Sequence, residues 1–379
     1  MNSKIKILLS FLLSFILLTG YAQNNSLSNS NNGTQVYKDS TAINFFRRTS
    51  GWIASDGGFT IPLSDGRSLW LMGDSHINDY DLATGTVPCL FQVRNAALLQ
   101  PANDWIWQHT ETFIGNGPGI KSYLKNNPDD KYFTWPSTGI QLKDTVYIYC
   151  NNLKNEGRGA FGFAPAGNDF TAKIKFPGMK VESYAPLQNF NGIGFGIGFI
   201  KDDKNKFVYV YGQKLISLEN SLYVARFPSA NPNDNWQFWD GKTWIKNINE
   251  IQPIAKQGFV EGTFQVSKVK DKIVLVSSAL SVGCDQGKEI YTSTSNSITG
   301  PFKQRKTIYT IDDTFQGHYP FFYAAIIHPE FINEKEEILI TYAINGYGKC
   351  VETCINNRFK PDYYRLKGIR VPLKLIFEE

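Results

Sequence analysis

The chain has 379 residues, of which 42% are hydrophobic, 14% aromatic and only 19% charged. These fractions exclude a disordered protein, and with 32 Gly they are atypical of helical bundles and coiled coils. The net charge of +5 comes without a run of like charges or a Lys/Arg-rich segment. This balance argues against nucleic acid and anionic membranes as partners, and it fits an uncharged or weakly charged substrate.

The first 22 residues have the pattern of a secretory signal peptide. Lys4 and Lys6 form a basic start, an apolar run extends from Ile7 to Leu18, and Gly20 and Ala22 are small residues suited to cleavage. The run is shorter than the ~20 apolar residues of a membrane span, so we expect cleavage after residue 22 rather than an anchor. Residues 23–34, rich in Asn and Ser, are predicted to be a flexible leader. The product is expected in the periplasm or outside the cell.

Five cysteines, at positions 89, 150, 284, 350 and 354, are too few for a disulfide scaffold in a chain of this length. Cys350 and Cys354 lie in a loop with Gly and Asn nearby, which predicts a local disulfide in an oxidising compartment. The alternative, a metal site, would need further ligands close by. The odd number leaves at least one free thiol, and nothing beside Cys89, Cys150 or Cys284 indicates a nucleophile.

Short runs of alternating, β-branched and aromatic residues recur along the chain, and helical periodicity is nearly absent. Turns such as Asp65-Gly66 and Asp202-Asp203-Lys204-Asn205 carry hairpin signals. When the hairpins are aligned, similar units recur at a spacing of ~60 to 80 residues. The five units lie at residues 57–74, 138–151, 193–212, 262–278 and 321–345.

This spacing predicts an all-β fold, a five-bladed β-propeller with four-stranded antiparallel blades. Residues 35–379 are expected to form it as a single domain. Large apolar residues late in the units, such as Trp105, Trp107 and Trp236, suit the packing of one blade against the next. A pair of two-sheet sandwiches is the competing architecture.

Three carboxylates stand at equivalent ends of the predicted inner hairpins. Asp56 precedes the first inner strand, Glu261 precedes the fourth, and Asp74 ends the second strand of the first unit. Each alone has a structural explanation, as a turn residue, a solvated residue or a loop cap. In a propeller these ends converge at the central channel. Glycosidic bond cleavage needs such carboxylates, because one protonates the leaving oxygen while another activates water or attacks the sugar.

Three segments give the chain a resemblance to a known group: residues 55–74, Glu261 with the strand after it, and residues 292–302. It resembles the secreted five-bladed propeller glycosidases, the arabinanase and xylosidase group of glycoside hydrolase family 43 and related endo-D-arabinanase-like bacterial propellers. The resemblance implies that Asp56 is the base and Glu261 the general acid. It also implies a third carboxylate that tunes the acid. Glu182 or Asp74 takes this role, and we prefer Asp74.

The third carboxylate of that group opens the third blade, where this chain has Asn191 instead of an acid. The resemblance also implies a central ion, calcium, beside a His of the last blade, and His318 is placed for that role. A lone His in a Gly-Pro context is more often structural, so no cofactor is expected to be required. Trp135 is suited to stack on a sugar ring, although burial in the core explains it equally well. The other candidate substrate-binding residues are Glu182, His76, Arg94, Asn95, Asn191, Gln265, His318 and Asn345.

Other motifs in the chain have structural explanations. Phe321, Phe322 and Tyr323 are expected in the core, and His328 is expected to be structural. The glycines of residues 192–198 lie in a β context with no helix after them, which excludes a dinucleotide-binding loop.

The sequence predicts a secreted glycoside hydrolase that acts on a neutral, arabinose-containing polysaccharide by carboxylate acid–base catalysis, with inversion favoured. A non-catalytic glycan-binding propeller is the alternative, because a fold does not fix a function. A propeller that serves protein interaction is a third reading. Carbohydrate is the expected partner, and nothing implies nucleic acid, membrane insertion or an obligate protein partner.

Overall fold

A computed structural model describes most of the chain after the predicted leader. The described residues are 35–157, 162–216, 219–232, 234–258, 260, 262–281, 283–346 and 351–378. The chain from Gln35 onward forms one compact unit. The predicted signal peptide, the leader, Glu261 and Cys350 lie outside the described residues. Within the described part of the chain, no helix has the length and apolarity needed to cross a membrane.

The chain is mostly antiparallel β-structure, which forms five blades. The first elements are β1 (Tyr37–Lys38), α1 (Ser40–Phe45), β2 (Trp52–Pro62), β3 (Ser68–Ile77), β4 (Val87–Pro88), β5 (Ala96–Gln100) and β6 (Glu111–Phe113). Next come β7 (Tyr132–Leu142), β8 (Thr145–Asn155), β9 (Phe163–Pro165), β10 (Phe170–Lys175) and β11 (Lys180–Pro186).

The third sheet contains β12 (Gly194–Asp202), β13 (Phe207–Ile216), β14 (Glu219–Pro228), β15 (Gln237–Trp239), β16 (Trp244–Ile245) and β17 (Ala255–Lys256). The fourth contains β18 (Gln265–Val269), β19 (Lys272–Ser278), β20 (Glu289–Ser295) and β21 (Lys306–Thr310). The chain ends with β22 (Phe321–His328), β23 (Glu337–Asn345), β24 (Arg358–Phe359), β25 (Lys367–Pro372) and α2 (Leu373–Phe377). Short 3-10 helices lie at Trp107–His109, Ile248–Glu250, Pro329–Phe331 and Pro361–Tyr363.

Each blade is built outward from one predicted hairpin. Blade I has the order β2-β3-β5-β6, blade II β7-β8-β10-β11, blade III β12-β13-β14-β15 and blade IV β18-β19-β20-β21. Blade V has the order β22-β23-β25-β1, so its outermost strand comes from the start of the chain and closes the ring. The predicted five-bladed propeller is confirmed. Blades II and III exceed the predicted four strands, because β9 pairs with β8, and β16 and β17 extend blade III.

Apolar side chains fill the spaces between blades. Trp105 packs against Phe331 at 4.9 Å and against Phe45 at 5.3 Å between ring centroids. His328 is fully buried and lies 2.8 Å from the hydroxyls of both Thr60 and Thr341, which joins blades I and V. Burial lowers the pKa of His328 to about 3, so the ring is neutral. The prediction of a structural role for His328 is confirmed.

The predicted disulfide between Cys350 and Cys354 is wrong, because Cys354 is bonded to Cys89. The strands β4 and β24 pair with each other and bring the loop after β3 against the loop after β23. The two cysteines are 265 residues apart in sequence and 5.5 Å apart between Cα atoms. Cys284 is also disulfide-bonded, and Cys150 is a buried free thiol.

Removing the Cys89–Cys354 bond is expected to lower the free energy of unfolding by about 2–5 kcal/mol, because the bond closes a long loop in the unfolded chain. Urea unfolding of Cys89→Ser, Cys354→Ser and the double variant measures this loss. The double variant should lose no more than either single variant, since all three lack the same bond. Additive losses would contradict the pairing.

Candidate active site

A cavity of about 700 Å³ opens at the end of the propeller where the innermost strands begin. All five blades or the loops beside them contribute to its wall. Aromatic rings form much of this wall, among them Phe91, Trp135, Phe163, Phe195 and Phe321. Flat apolar surfaces and a few polar groups in one cavity are typical of a small-molecule or sugar site.

Asp56 lies in β2 and lines this cavity. The pairing of β2 with β3 shifts register on both sides of Gly57, and this irregularity changes the direction of the strand at Asp56. The Tyr323 hydroxyl donates a hydrogen bond of 2.9 Å to Asp56 Oδ2. Burial raises the pKa of Asp56, while hydrogen bonds from the hydroxyls of Tyr323 and Tyr364 and from the backbone N–H of Asp74 act in the opposite direction.

Gly73 leaves room for the Asp56 carboxylate. A Cβ atom at position 73 would lie 2.1 Å from Asp56 Oδ1, far inside van der Waals contact. The carboxylate therefore occupies the space that any side chain at position 73 would need. Position 73 therefore requires glycine, because β2 and β3 approach each other closely there.

Asp74, in β3, is a second buried carboxylate in the same cavity. Trp135 Nε1 donates to its Oδ1 at 2.9 Å, and Arg94 Nη1 donates to its Oδ2 at 3.0 Å. Burial and the charge of Asp56 raise the pKa of Asp74 to about 7, against the opposing effect of Arg94 and Trp135. The two carboxyl groups therefore interact, because the charge on one opposes the ionisation of the other.

Stability should reflect this raised pKa. Between the ordinary value of 3.8 and about 7 the folded chain holds a proton on Asp74 that the unfolded chain has lost, so stability falls as pH rises through this window. Between pH 5 and pH 8 the free energy of unfolding of Asp74→Asn is expected to fall less than that of the wild type, by on the order of 2 kcal/mol. Urea unfolding at both pH values measures it. An equal or steeper pH dependence in the variant would contradict the raised pKa.

Arg94 is held in place from several directions. Its Nη2 donates to Asn155 Oδ1 at 3.1 Å, in addition to the ion pair with Asp74. The guanidinium lies 4.2 Å from the ring centroid of Phe133 and 4.9 Å from that of Phe91. These contacts fix a cation beside the carboxylate pair.

The structure brings five of the predicted site residues to the cavity: Asp56, Asp74, Arg94, Trp135 and Asn345. Glu261, the predicted acid, lies outside the described residues. Thr263, two positions later, lines the cavity, and the carbonyl of Gly262 accepts a hydrogen bond from Gln213, another lining residue.

Two predicted substrate-binding residues hold the fold together instead. Asn95 is fully buried, accepts a hydrogen bond of 2.7 Å from the N–H of Leu124, and donates to the carbonyls of Leu124 and Thr134. Gln265 is buried and accepts a hydrogen bond of 2.9 Å from the N–H of Ile327, which joins blades IV and V. Their polar atoms are used inside the protein.

Four other predicted residues, His76, Glu182, Asn191 and His318, do not line the cavity. His76 is buried in contact with the ring of Phe359, with centroids 5.6 Å apart. Glu182 is exposed on β11, the outermost strand of blade II, where its carboxylate is solvated.

Asn191 and His318 are bound at the surface. Asn191 Nδ2 donates to Asn249 Oδ1 at 2.8 Å, and His318 lies 2.8 Å from Asp285 Oδ2. The surface position of His318 therefore does not support the predicted central ion beside it. Among the described residues, no group of three or more His, Cys, Asp or Glu side chains is arranged to hold a metal ion.

Sequence reasoning missed Tyr323, Phe321 and Tyr364, which line the cavity. Phe321 and Tyr323 were expected in the core together with Phe322, but only Phe322 is fully buried. Successive side chains on a strand point to opposite faces, so residues 321 and 323 share the face opposite to residue 322. This alternation was the sequence signal that could have identified Phe321 and Tyr323 as cavity residues.

Asn95→Ala is expected to lower the free energy of unfolding by about 2–4 kcal/mol, since the buried N–H of Leu124 loses its acceptor. Urea or thermal unfolding measures the effect. The matched control is Asn296→Ala, an exposed asparagine that accepts a hydrogen bond from Lys272 at the surface and should change stability by less than about 0.5 kcal/mol. Equal, small effects of the two variants would restore Asn95 as a candidate for ligand binding.

The comparisons with known proteins agree with this fold. Residues 39–372 match the family model described as a domain of unknown function, DUF5005. The chain belongs to the DUF5005 family. The matched range spans all five blades of this DUF5005 protein, from α1 to β25. A search of curated proteins found no match.

Among solved structures, the DUF5005 chain is similar to a protein of Bacteroides ovatus whose hydrolase assignment is provisional. The TM-score is 0.71 at 19% identity, covering 90% of this chain and 93% of that one, which shows a shared fold. An α-L-arabinofuranosidase of Lactobacillus brevis has a TM-score of 0.47 at 12% identity and 88% and 92% coverage. An exo-β-1,3-galactanase of Phanerochaete chrysosporium has a TM-score of 0.47 at 10% identity and 86% and 63% coverage. The finer assignment to glycoside hydrolase family 43 stays a prediction.

Proposed function

We propose that this protein is a glycoside hydrolase whose active site is the central cavity. The observation that carries the proposal is the pair of carboxylates, Asp56 and Asp74, in the wall of an aromatic-lined cavity. Glycosidic bond cleavage needs one carboxyl group that is ionised and another that is protonated at the working pH. Neighbouring carboxylates with shifted pKa values are a common way to supply that combination.

Asp56 is proposed as the general base. Two tyrosine hydroxyls and the backbone N–H groups of Asp56 and Asp74 donate to it, and such donors favour the ionised form. Burial and the charge of Asp56 raise the pKa of Asp74 to about 7, and we propose that Asp56 is the member of the pair that ionises first. The order of ionisation suits Asp56 for accepting a proton from water or attacking the sugar.

Glu261 is proposed as the general acid, on the strength of its place before the inner strand of blade IV. Thr263, two residues later in the sequence, lies in the cavity wall, and this supports the proposal. Asp74 then acts as the third carboxylate, which holds a proton beside Asp56 and binds Arg94. Inversion of the anomeric centre is the expected stereochemistry.

The proposed substrate is a neutral, arabinose-containing polysaccharide. Aromatic faces in the wall suit the apolar faces of sugar rings, and Asn345 and Gln213 bring amide groups to the cavity. The arabinose component rests on the resemblance of the blade I and blade IV motifs. The proposed location is the periplasm or the exterior, supported by the signal-type N-terminus and by the Cys89–Cys354 disulfide, a bond that persists in oxidising compartments.

The proposal is tested by incubating the purified chain that follows residue 22 with arabinan, arabinoxylan, galactan and 4-nitrophenyl glycosides. Release of reducing sugar or nitrophenol is expected with at least one of them. Proton NMR of the first product anomer decides between inversion and retention. Binding without turnover across the whole panel would overturn the enzyme proposal in favour of a glycan-binding propeller.

A further inference from the structure

A second cavity, of about 750 Å³, lies beside the first and shares Arg94 with it. The same two chain segments line both cavities. In the first segment Phe91 faces the central cavity, whereas residues 92–93 face the second. In β7, Trp135 faces the central cavity and residues 132–134 face the second. The two spaces therefore adjoin along the boundary of blades I and II.

Arg94 is the partition between these spaces, and the structure keeps it rigid. Asp74 on the side of the central cavity and Asn155 both accept hydrogen bonds from its guanidinium. Phe133, which lines the second cavity, lies against the same group at 4.2 Å. Arg94 is therefore a fixed, planar cation at the boundary of the two spaces, where a ligand that occupies both would meet it.

The second cavity has the groups that sugar hydroxyls need. Asn116, Lys121 and Asn126 supply amide and ammonium groups near its opening, and Tyr132 contributes an aromatic ring. Its wall is also built by the backbone around Lys125, whose N–H donates to the Tyr184 hydroxyl at 2.9 Å. The central cavity presents more aromatic surface, and the second presents more hydrogen-bonding groups.

We propose that the second cavity binds further sugar residues of the glycan whose bond is cleaved in the central cavity. This inference rests on the proposed function. Trp135 and Tyr132 are three residues apart on one strand, which places them ~10 Å apart along it, farther than one sugar ring extends. The ligand is therefore an oligosaccharide or polysaccharide chain that crosses Arg94, rather than a single glycoside.

Affinity electrophoresis tests the inference without requiring turnover. The wild type, Asp56→Asn, Ile120→Trp and Lys121→Ala are run in native gels that contain arabinan, arabinoxylan or galactan. Ile120→Trp places a bulky ring at the second cavity, and Lys121→Ala removes one of its donors. The matched control is Lys180→Ala, an exposed lysine on β11. Thermal unfolding of each variant checks that it is folded.

At least one gel should retard the wild type, Asp56→Asn and Lys180→Ala equally. Ile120→Trp and Lys121→Ala should bind that polysaccharide about tenfold more weakly, and their activity on the polymer should fall relative to activity on a 4-nitrophenyl glycoside. The inference would be overturned if the folded Ile120→Trp and Lys121→Ala variants were retarded as strongly as the wild type. It would also be overturned if no gel retarded the wild type. Full hydrolysis by Asp56→Asn would instead overturn the proposed function, and the retardation result would still decide the second cavity.

Discussion

Replacing Asp56 by asparagine is expected to lower kcat for glycan hydrolysis by on the order of 10²–10⁴-fold, the range that general acid–base catalysis contributes. Asparagine keeps the size of the side chain and accepts the hydrogen bond from Tyr323 through its amide oxygen. It cannot take a proton from water or attack a sugar carbon. Glycan affinity in native gels should stay close to that of the wild type, since the walls of the cavity are unchanged.

The matched control is Asp313→Asn, in the connection between β21 and β22. Asp313 Oδ2 accepts a hydrogen bond of 2.6 Å from the Tyr342 hydroxyl, so it reproduces the Asp–Tyr pair of the site. Asp313 does not line the central cavity. Hydrolysis by Asp313→Asn should match the wild type. If Asp56→Asn and its control have the same activity, Asp56 is not the base.

Local sequence signals were sufficient for the fold. A strand that alternates apolar and polar residues, followed by a polar turn and a second strand, is a local pattern, and the five repeats of it gave the innermost hairpins of the five blades. The closure of the ring by β1 was not predictable in this way. β1 is only Tyr37–Lys38, and its pairing with β25 joins positions more than three hundred residues apart.

The candidate carboxylates were predictable because strand ends converge in a propeller whatever their sequence separation. Asp56 and Asp74 were identified from their positions at the ends of one hairpin, and both line the cavity. Arg94 and Asn95 show where this reasoning stops. They are adjacent in sequence, yet Arg94 lines the cavity and Asn95 is buried among backbone groups. Both residues lie just before β5, outside regular strand structure, so the alternation of a strand does not predict which of the two side chains faces the cavity.

The sequence also gives little indication of how far each strand lies from the central axis of the propeller. Glu182 was considered because it lies ten residues before the predicted start of the inner strand of blade III at Gly192. Its strand, β11, is the outermost of blade II, so the chain crosses from rim to axis between Glu182 and β12. The cysteines give the same lesson, since Cys354 is bonded to Cys89 and not to its neighbour in sequence. Disulfide connectivity cannot be deduced from spacing.

Gly73→Ala is expected to have the second large effect on activity, although position 73 carries no functional group. The new Cβ would lie 2.1 Å from Asp56 Oδ1, so the carboxylate must move away from Tyr323 or β3 must shift. Displacement of a reacting group by about 1 Å costs on the order of 10²-fold in rate. Steady-state kinetics on the hydrolysed glycan should show the loss in kcat.

The matched control for this last variant is Gly178→Ala. A Cβ atom at position 178 meets no atom within 4 Å, so that variant should keep the activity of the wild type. Because a methyl group at position 73 acts only through space, the double variant Gly73→Ala/Asp56→Asn should be no less active than Asp56→Asn alone. A further loss in the double variant would show that Gly73 supports the cavity independently of Asp56. Full activity of Gly73→Ala would mean that the carboxylate does not work from the position it occupies against β3.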